Sequence, residues 1–168
     1  SQEDSPITRL VLNDVGPLIS VASLLRIGEY VGQAPKFDTY EDAEKYVRLV
    51  SQPFGPLSDA QWRHLTEFSL QRLPDGRLAM RYDPAIGEAF RQALSAGDID
   101  LWPIYDRIRC PTLVVRGAES DLLTRETMQA MAMRGPRPQT AEIAGVGHAP
   151  MFLDLQQIGI VRDFLLVV

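Results

Sequence analysis

The 168 residues, 45% hydrophobic and 23% charged, have the size and make-up of a globular domain and not of a disordered or fibrous chain. The net charge of −5 and the scatter of arginines among acids exclude a basic stripe for nucleic acid, and the longest apolar run, residues 164–168, falls far short of the ~20 residues that cross a bilayer. Cys110 is the one cysteine, so no internal disulfide forms; before Pro111 and an apolar run it reads as a small apolar filler. The acidic start, Ser1-Gln2-Glu3-Asp4-Ser5-Pro6, has no apolar h-region, so no signal peptide and a cytoplasmic location are expected.

Residues 8–13 predict a strand whose Leu-Val-Leu run suits burial on both faces, and Asp14-Val15-Gly16-Pro17 breaks it. Val21, Leu24, Leu25, Gly28 and Val31 recur at helical spacing, giving a helix over 20–31 that Ala34-Pro35 ends. Thr39 caps a helix over 40–50. Ser58-Asp59-Ala60-Gln61 fits a capping box, with Trp62, Leu65, Phe68 and Leu70 on one broad face behind it. Pro74-Asp75-Gly76 is a turn and residues 78–82 a short extended piece. Asp83-Pro84 opens a further helix that stops near Gly97.

Residues 18–98 therefore read as a helical insertion in a strand–helix pattern. That pattern resumes with a strand over 112–116 and a helix that Thr124 caps and Gly135 ends. Residues 139–144 alternate polar and apolar, as a sheet-edge strand does. A last helix from about Phe152 is expected to bury Phe152, Leu155, Ile158, Val161 and Leu165.

Two loops carry the chemistry. Gly117-Ala118-Glu119-Ser120-Asp121 follows one predicted strand, and Gly145-Val146-Gly147-His148-Ala149-Pro150 follows the next. A strand–helix–strand unit joins neighbouring parallel strands by a right-handed crossover, so both loops lie at the same sheet rim, where open α/β sheets bind ligands. An aspartate there accepts the histidine's Nδ1–H and leaves Nε2 to take a proton from a nucleophile. Asp121 and His148 are thus the expected acid and base, the last two members of a Ser…Asp…His order. Asp14, at the exit of the first strand, is the other carboxylate on that rim; binding of backbone amides is its plainer role, and Asn13 reads as structural. No Gly-x-Ser-x-Gly occurs in the sequence, so the nucleophile is expected before Ser1. Ser20, Ser23 and Ser120 do not sit on a strand-to-helix elbow.

On these motifs the chain resembles the C-terminal half of an α/β-hydrolase. Arg9-Leu10-Val11-Leu12-Asn13-Asp14-Val15-Gly16-Pro17 is similar to that family's sixth strand, and Cys110-Pro111-Thr112-Leu113-Val114-Val115-Arg116-Gly117 to its seventh. Ser120-Asp121 matches the family's acid and Gly147-His148 its base. The resemblance implies a partial α/β-hydrolase fold: about three parallel strands, a core from residues 1–17 and 99–168, and a helical cap over 18–98.

It further implies a serine esterase or lactonase acting on a small apolar ester, inactive as this chain alone. An upstream aspartate nucleophile would instead give a dehalogenase or epoxide hydrolase, and a ligand-binding protein on the same scaffold is the rival from another class. Trp62, Phe68, Trp102 and Met151 are the candidate substrate contacts, although large apolar residues at such spacing are more often core. His64 reads as a surface or packed histidine. No metal-ligand spacing and no nucleotide loop occurs, so no cofactor is expected. With the fifth strand absent, the edge of the first strand here is expected to pair with a missing N-terminal half or with a second copy of the chain.

Overall fold

The structure, a computed structural model, describes residues 4–95 and 97–166. The first three residues of the acidic start and the last two of the terminal apolar run lie outside them. In chain order the elements begin with β1 (Leu10–Asn13), β2 (Leu18–Ile19), α1 (Val21–Gly28), β3 (Lys36–Phe37), α2 (Tyr40–Val50) and a 3-10 turn (Gln52–Phe54). Next come α3 (Asp59–Ser69), β4 (Leu70–Arg72), β5 (Leu78–Met80), α4 (Ile86–Ser95), β6 (Ile99–Asp100) and α5 (Trp102–Tyr105). The chain ends with β7 (Thr112–Gly117), α6 (Arg125–Met133), β8 (Gln139–Ile143) and α7 (Leu155–Leu166).

The chain divides into two compact units, one of residues 1–23, 53–55 and 98–168, the other of residues 24–52 and 56–97. Relative to the expected split at Pro17, the first unit keeps the start of α1 and takes back the 53–55 turn.

A parallel sheet in the order β1-β7-β8 organises the first unit. β7 is its central strand and is buried at all six positions, which explains why its Leu-Val-Val run shows no alternation. Its pleat sends Val114 to one face, against Tyr105, Leu123 and Met131, and Leu113 and Val115 to the other, against Phe164 of α7. Each such buried side chain contributes about 1.5–3 kcal/mol over an exposed one. β8 is an edge strand, as its alternation predicts, with Thr140 and Glu142 outward.

Burial, with the Asp106 carboxylate next, pushes the Tyr105 phenol up to about 12. It therefore keeps its proton and donates it to the Met131 carbonyl at 2.9 Å.

The last helix departs from expectation. It starts at Leu155, and Phe152 precedes it with φ 53°. Phe164, Ile160 and Val161 make the packed face, while Leu155, Ile158 and Leu165 are exposed. Three-stranded width explains this: the sheet offers the helix one strip of apolar surface, and the remaining apolar residues have nothing among the described residues to cover them.

The second unit is not purely helical. β3, β5 and β4 form a small antiparallel sheet in that order, which the short extended piece at 78–82 only hinted at. Strands of two or three residues carry too few alternations to be seen in sequence. Two helix caps are those expected: Thr39 Oγ1 accepts Asp42 N–H, and Ser58 and Gln61 form a complete capping box, whereas α4 begins at Ile86, after and not at Pro84. On α3 the buried positions are Trp62 and Thr66. The Thr66 hydroxyl is satisfied by donating to the Trp62 carbonyl, and Phe68 is left outside.

Candidate active site

β1 ends in a turn that sequence patterning underrated. Asp14 has φ 55°, a left-handed conformation that aspartate tolerates better than most residues and that clusters at functional sites. The turn brings its carboxylate beneath the loop leaving β7, where it is fully buried. Oδ1 accepts the Gly117 N–H at 2.7 Å. Oδ2 accepts the Ser120 hydroxyl at 2.5 Å and meets Nδ1 of His148 at 2.8 Å. A carboxylate held by these donors is an acceptor only, so Nδ1 carries the proton and Nε2 is the nitrogen left for proton transfer.

The expected pairing is thereby corrected. Sequence spacing assigns the orienting position to Asp121, but Nδ1 of His148 is taken by Asp14. Asp121 stands at the outer side of its loop, exposed, and its backbone carbonyl accepts the Ser23 hydroxyl at 2.6 Å. The physical reason is depth. Asp14 leaves the strand directly under the β7 loop, whereas Asp121 lies four residues beyond Gly117, after the loop has turned outward. An aspartate placed straight after an apolar strand and before Gly-Pro was the signal available.

The β7 loop is built on a buried cation. Arg116 Nε donates to the Leu123 carbonyl at 2.7 Å, Nη1 to that of Ala118 at 3.1 Å and Nη2 to that of Ser120 at 3.2 Å. Nη1 also pairs with Glu142 at 2.7 Å, whose other oxygen takes Arg125. One guanidinium thus organises the segment that presents Gly117 and Ser120 to Asp14.

The histidine loop is pinned just as closely. Glu119 N–H donates to Val146 O at 2.9 Å, Gly147 N–H to Pro53 O at 2.7 Å, and Asn13 Nδ2 to Pro150 O at 2.9 Å. Gly117 is required where these loops touch: a Cβ there would lie 2.2 Å from the Gly147 carbonyl oxygen and 2.5 Å from that of Val146. Gly117→Ala is therefore expected to destabilise the chain by about 1–3 kcal/mol, read as a lower midpoint in urea denaturation.

The remaining predicted residues fall in different places. Trp102 packs edge-on against Tyr105 and under the Arg134 guanidinium at 4.3 Å, within the core cluster. Met151 is half-buried, directly after Pro150 in the histidine loop. Trp62 and Phe68 belong to the second unit. There Trp62 is buried with Arg48 over its ring, and Phe68 lies tilted against the His64 ring. Cys110 is a free thiol. Among the described residues no group of histidine, cysteine and carboxylate side chains could hold a metal ion, and no helix is long and apolar enough to cross a membrane.

The sequence profile of the alpha/beta hydrolase family matches residues 7–157. The chain belongs to this family. A 3-hydroxybutyrate-oligomer hydrolase of Cupriavidus necator is 41% identical over 167 residues, covering 95% of this chain and 57% of that protein. An alpha/beta hydrolase of Novosphingobium aromaticivorans of known structure superposes with a TM-score of 0.80 at 33% identity, over 95% of this chain and 56% of that one. A protein of Rickettsia typhi superposes with a TM-score of 0.84 at 30% identity, over 95% and 53%. The chain therefore spans little more than half the length of these relatives.

Proposed function

We propose that this family member supplies the acid and base of an ester-hydrolysing site, with Asp14 as the acid, His148 as the base and the nucleophilic hydroxyl coming from polypeptide outside this chain. The observation that carries the reading is the 2.8 Å contact between His148 Nδ1 and the buried, triply hydrogen-bonded Asp14 carboxylate. Such a carboxylate fixes the imidazole's tautomer and orientation and stabilises the imidazolium that forms during proton transfer.

In the proposed reaction the hydroxyl oxygen attacks the ester carbonyl while Nε2 takes its proton. The carbonyl carbon–alkoxide bond then breaks, and the leaving alcohol receives that proton from Nε2. Water, deprotonated by the same nitrogen, attacks the acyl carbonyl; the bond from that carbon to the nucleophile's oxygen breaks, Nε2 returns the proton to that oxygen, and the acid is released. His148 thus begins and ends neutral. The similarity to a 3-hydroxybutyrate-oligomer hydrolase supports short esters of small hydroxy acids as the substrate class.

The remainder of the site joins, in this reading, along β1. That strand has β7 on one side, and no strand on its other side among the described residues. An open edge of this kind is a template for pairing. A further strand there, whether from the same polypeptide or from a second copy, would meet the sheet next to Asp14.

The test is turnover by the full-length gene product of 3-hydroxybutyrate dimers and trimers, with p-nitrophenyl butyrate as a chromogenic control. Hydrolysis that His148→Ala abolishes is the expected result. Saturable binding of the oligomers without release of 3-hydroxybutyrate would replace the enzyme with a ligand-binding protein.

A further inference from the structure

Ser120 has a bonding pattern that a loop residue does not need. A serine hydroxyl offers one proton and two acceptor lone pairs. Both acceptor positions are used, by the backbone N–H groups of Leu122 and Leu123 at 3.2 Å each. Its single proton then has one destination, Asp14 Oδ2 at 2.5 Å. The main chain of the same residue donates to Gly117 O at 2.9 Å and accepts from Arg116 at 3.2 Å. The residue is buried.

We propose that Ser120 is a positioning residue whose hydroxyl shares Asp14 Oδ2 with His148 and so sets the strength and direction of the aspartate–histidine bond. Two backbone N–H groups polarise the hydroxyl, which strengthens its donation to the carboxylate. Part of the Oδ2 charge is thereby drawn toward Ser120, and the carboxylate cannot rotate about its own axis without breaking bonds at both oxygens. Removal of the hydroxyl leaves Oδ2 to His148 alone. It also strips the acceptor from two buried N–H groups. The inference rests on the proposed acid and base only for its catalytic consequence; the bonding itself is testable without turnover.

With two histidines in the sequence, His64 and His148, selective 15N-histidine labelling gives an assignable spectrum. In the unmodified chain we expect a downfield Nδ1 proton from His148 and a slowly exchanging hydroxyl proton from Ser120. A nuclear Overhauser contact should join the two, because both protons lie on one carboxylate oxygen. In Ser120→Ala the hydroxyl signal vanishes and the Nδ1 proton moves further downfield by more than its linewidth; Ser120→Thr returns it toward its starting position.

In the full-length enzyme, Ser120→Ala is expected to lower kcat about 10- to 100-fold with KM little changed. A missing hydroxyl-to-Nδ1 contact in the unmodified chain overturns the proposal even if the variants fail to fold. So does an Ala variant whose melting temperature falls while the Nδ1 resonance stays in place, since that is what a mere turn residue would give. A full set of expected resonances with no ester turnover would sink the hydrolase reading and leave the positioning role standing.

Discussion

Arg116→Met is expected to lower the free energy of unfolding by about 3–5 kcal/mol, the scale for leaving several buried acceptors without a donor. The Arg116 side chain is 6% exposed, and methionine would fill much of its volume without any donor. Three backbone carbonyls, those of Ala118, Ser120 and Leu123, would lose their partner, together with one oxygen of Glu142. Each buried acceptor left unmade costs about 1–3 kcal/mol.

Arg125 is the control. It reaches the same Glu142 at the same 2.7 Å, but its side chain is 58% exposed, so Arg125→Ala should cost less than about 1 kcal/mol. Urea denaturation of the two variants, at matching m-values, measures the contrast. Equal and small losses would mean that the loop around Ser120 is held by something other than the guanidinium.

The second large effect concerns chemistry. For the proposed ester hydrolysis by the full-length protein, Asp14→Asn is expected to lower kcat by about 10³- to 10⁴-fold, the scale for losing the acid of a Ser-His-Asp triad. Asparagine keeps the shape but replaces one acceptor oxygen with an NH₂ group. It cannot accept from Gly117, Ser120 and His148 together. Either the imidazole takes the wrong tautomer, with its free proton on Nε2, or the Gly117 bond is lost. Asp121→Asn should change kcat by less than about tenfold. Steady-state rates with p-nitrophenyl butyrate decide between the two carboxylates. A collapse confined to Asp121→Asn would return the acid to the β7 loop.

The carboxylate that meets His148 is set by tertiary contacts that no sequence pattern carries. His148 was legible because a glycine-rich turn after an alternating strand has few other uses. The sheet rim was legible because a strand–helix–strand unit fixes which ends of the strands share a side. Choosing between Asp14 and Asp121 was not a matter of pattern: both follow strands, and both lie on that rim. What separated them was depth, set by Gly117 approaching the His148 loop and by Arg116 holding the carbonyls of Ala118, Ser120 and Leu123. Neither is a periodic signal. Likewise, Trp102 and Trp62 looked like pocket linings because they are large and apolar. Contacts with Arg134 and Arg48 gave each a structural partner instead.

By itself the sequence determined the individual strands of the core, the capped helices and the loop that carries the histidine, because local propensity and hydrophobic period act within a few residues of each other. Tertiary structure alone decided which carboxylate meets His148, which face of α7 is covered and which serine hydroxyl joins the network. Those outcomes depend on distances between segments more than a hundred residues apart, such as Asp14 to Ser120 and to His148, and no local rule constrains such distances.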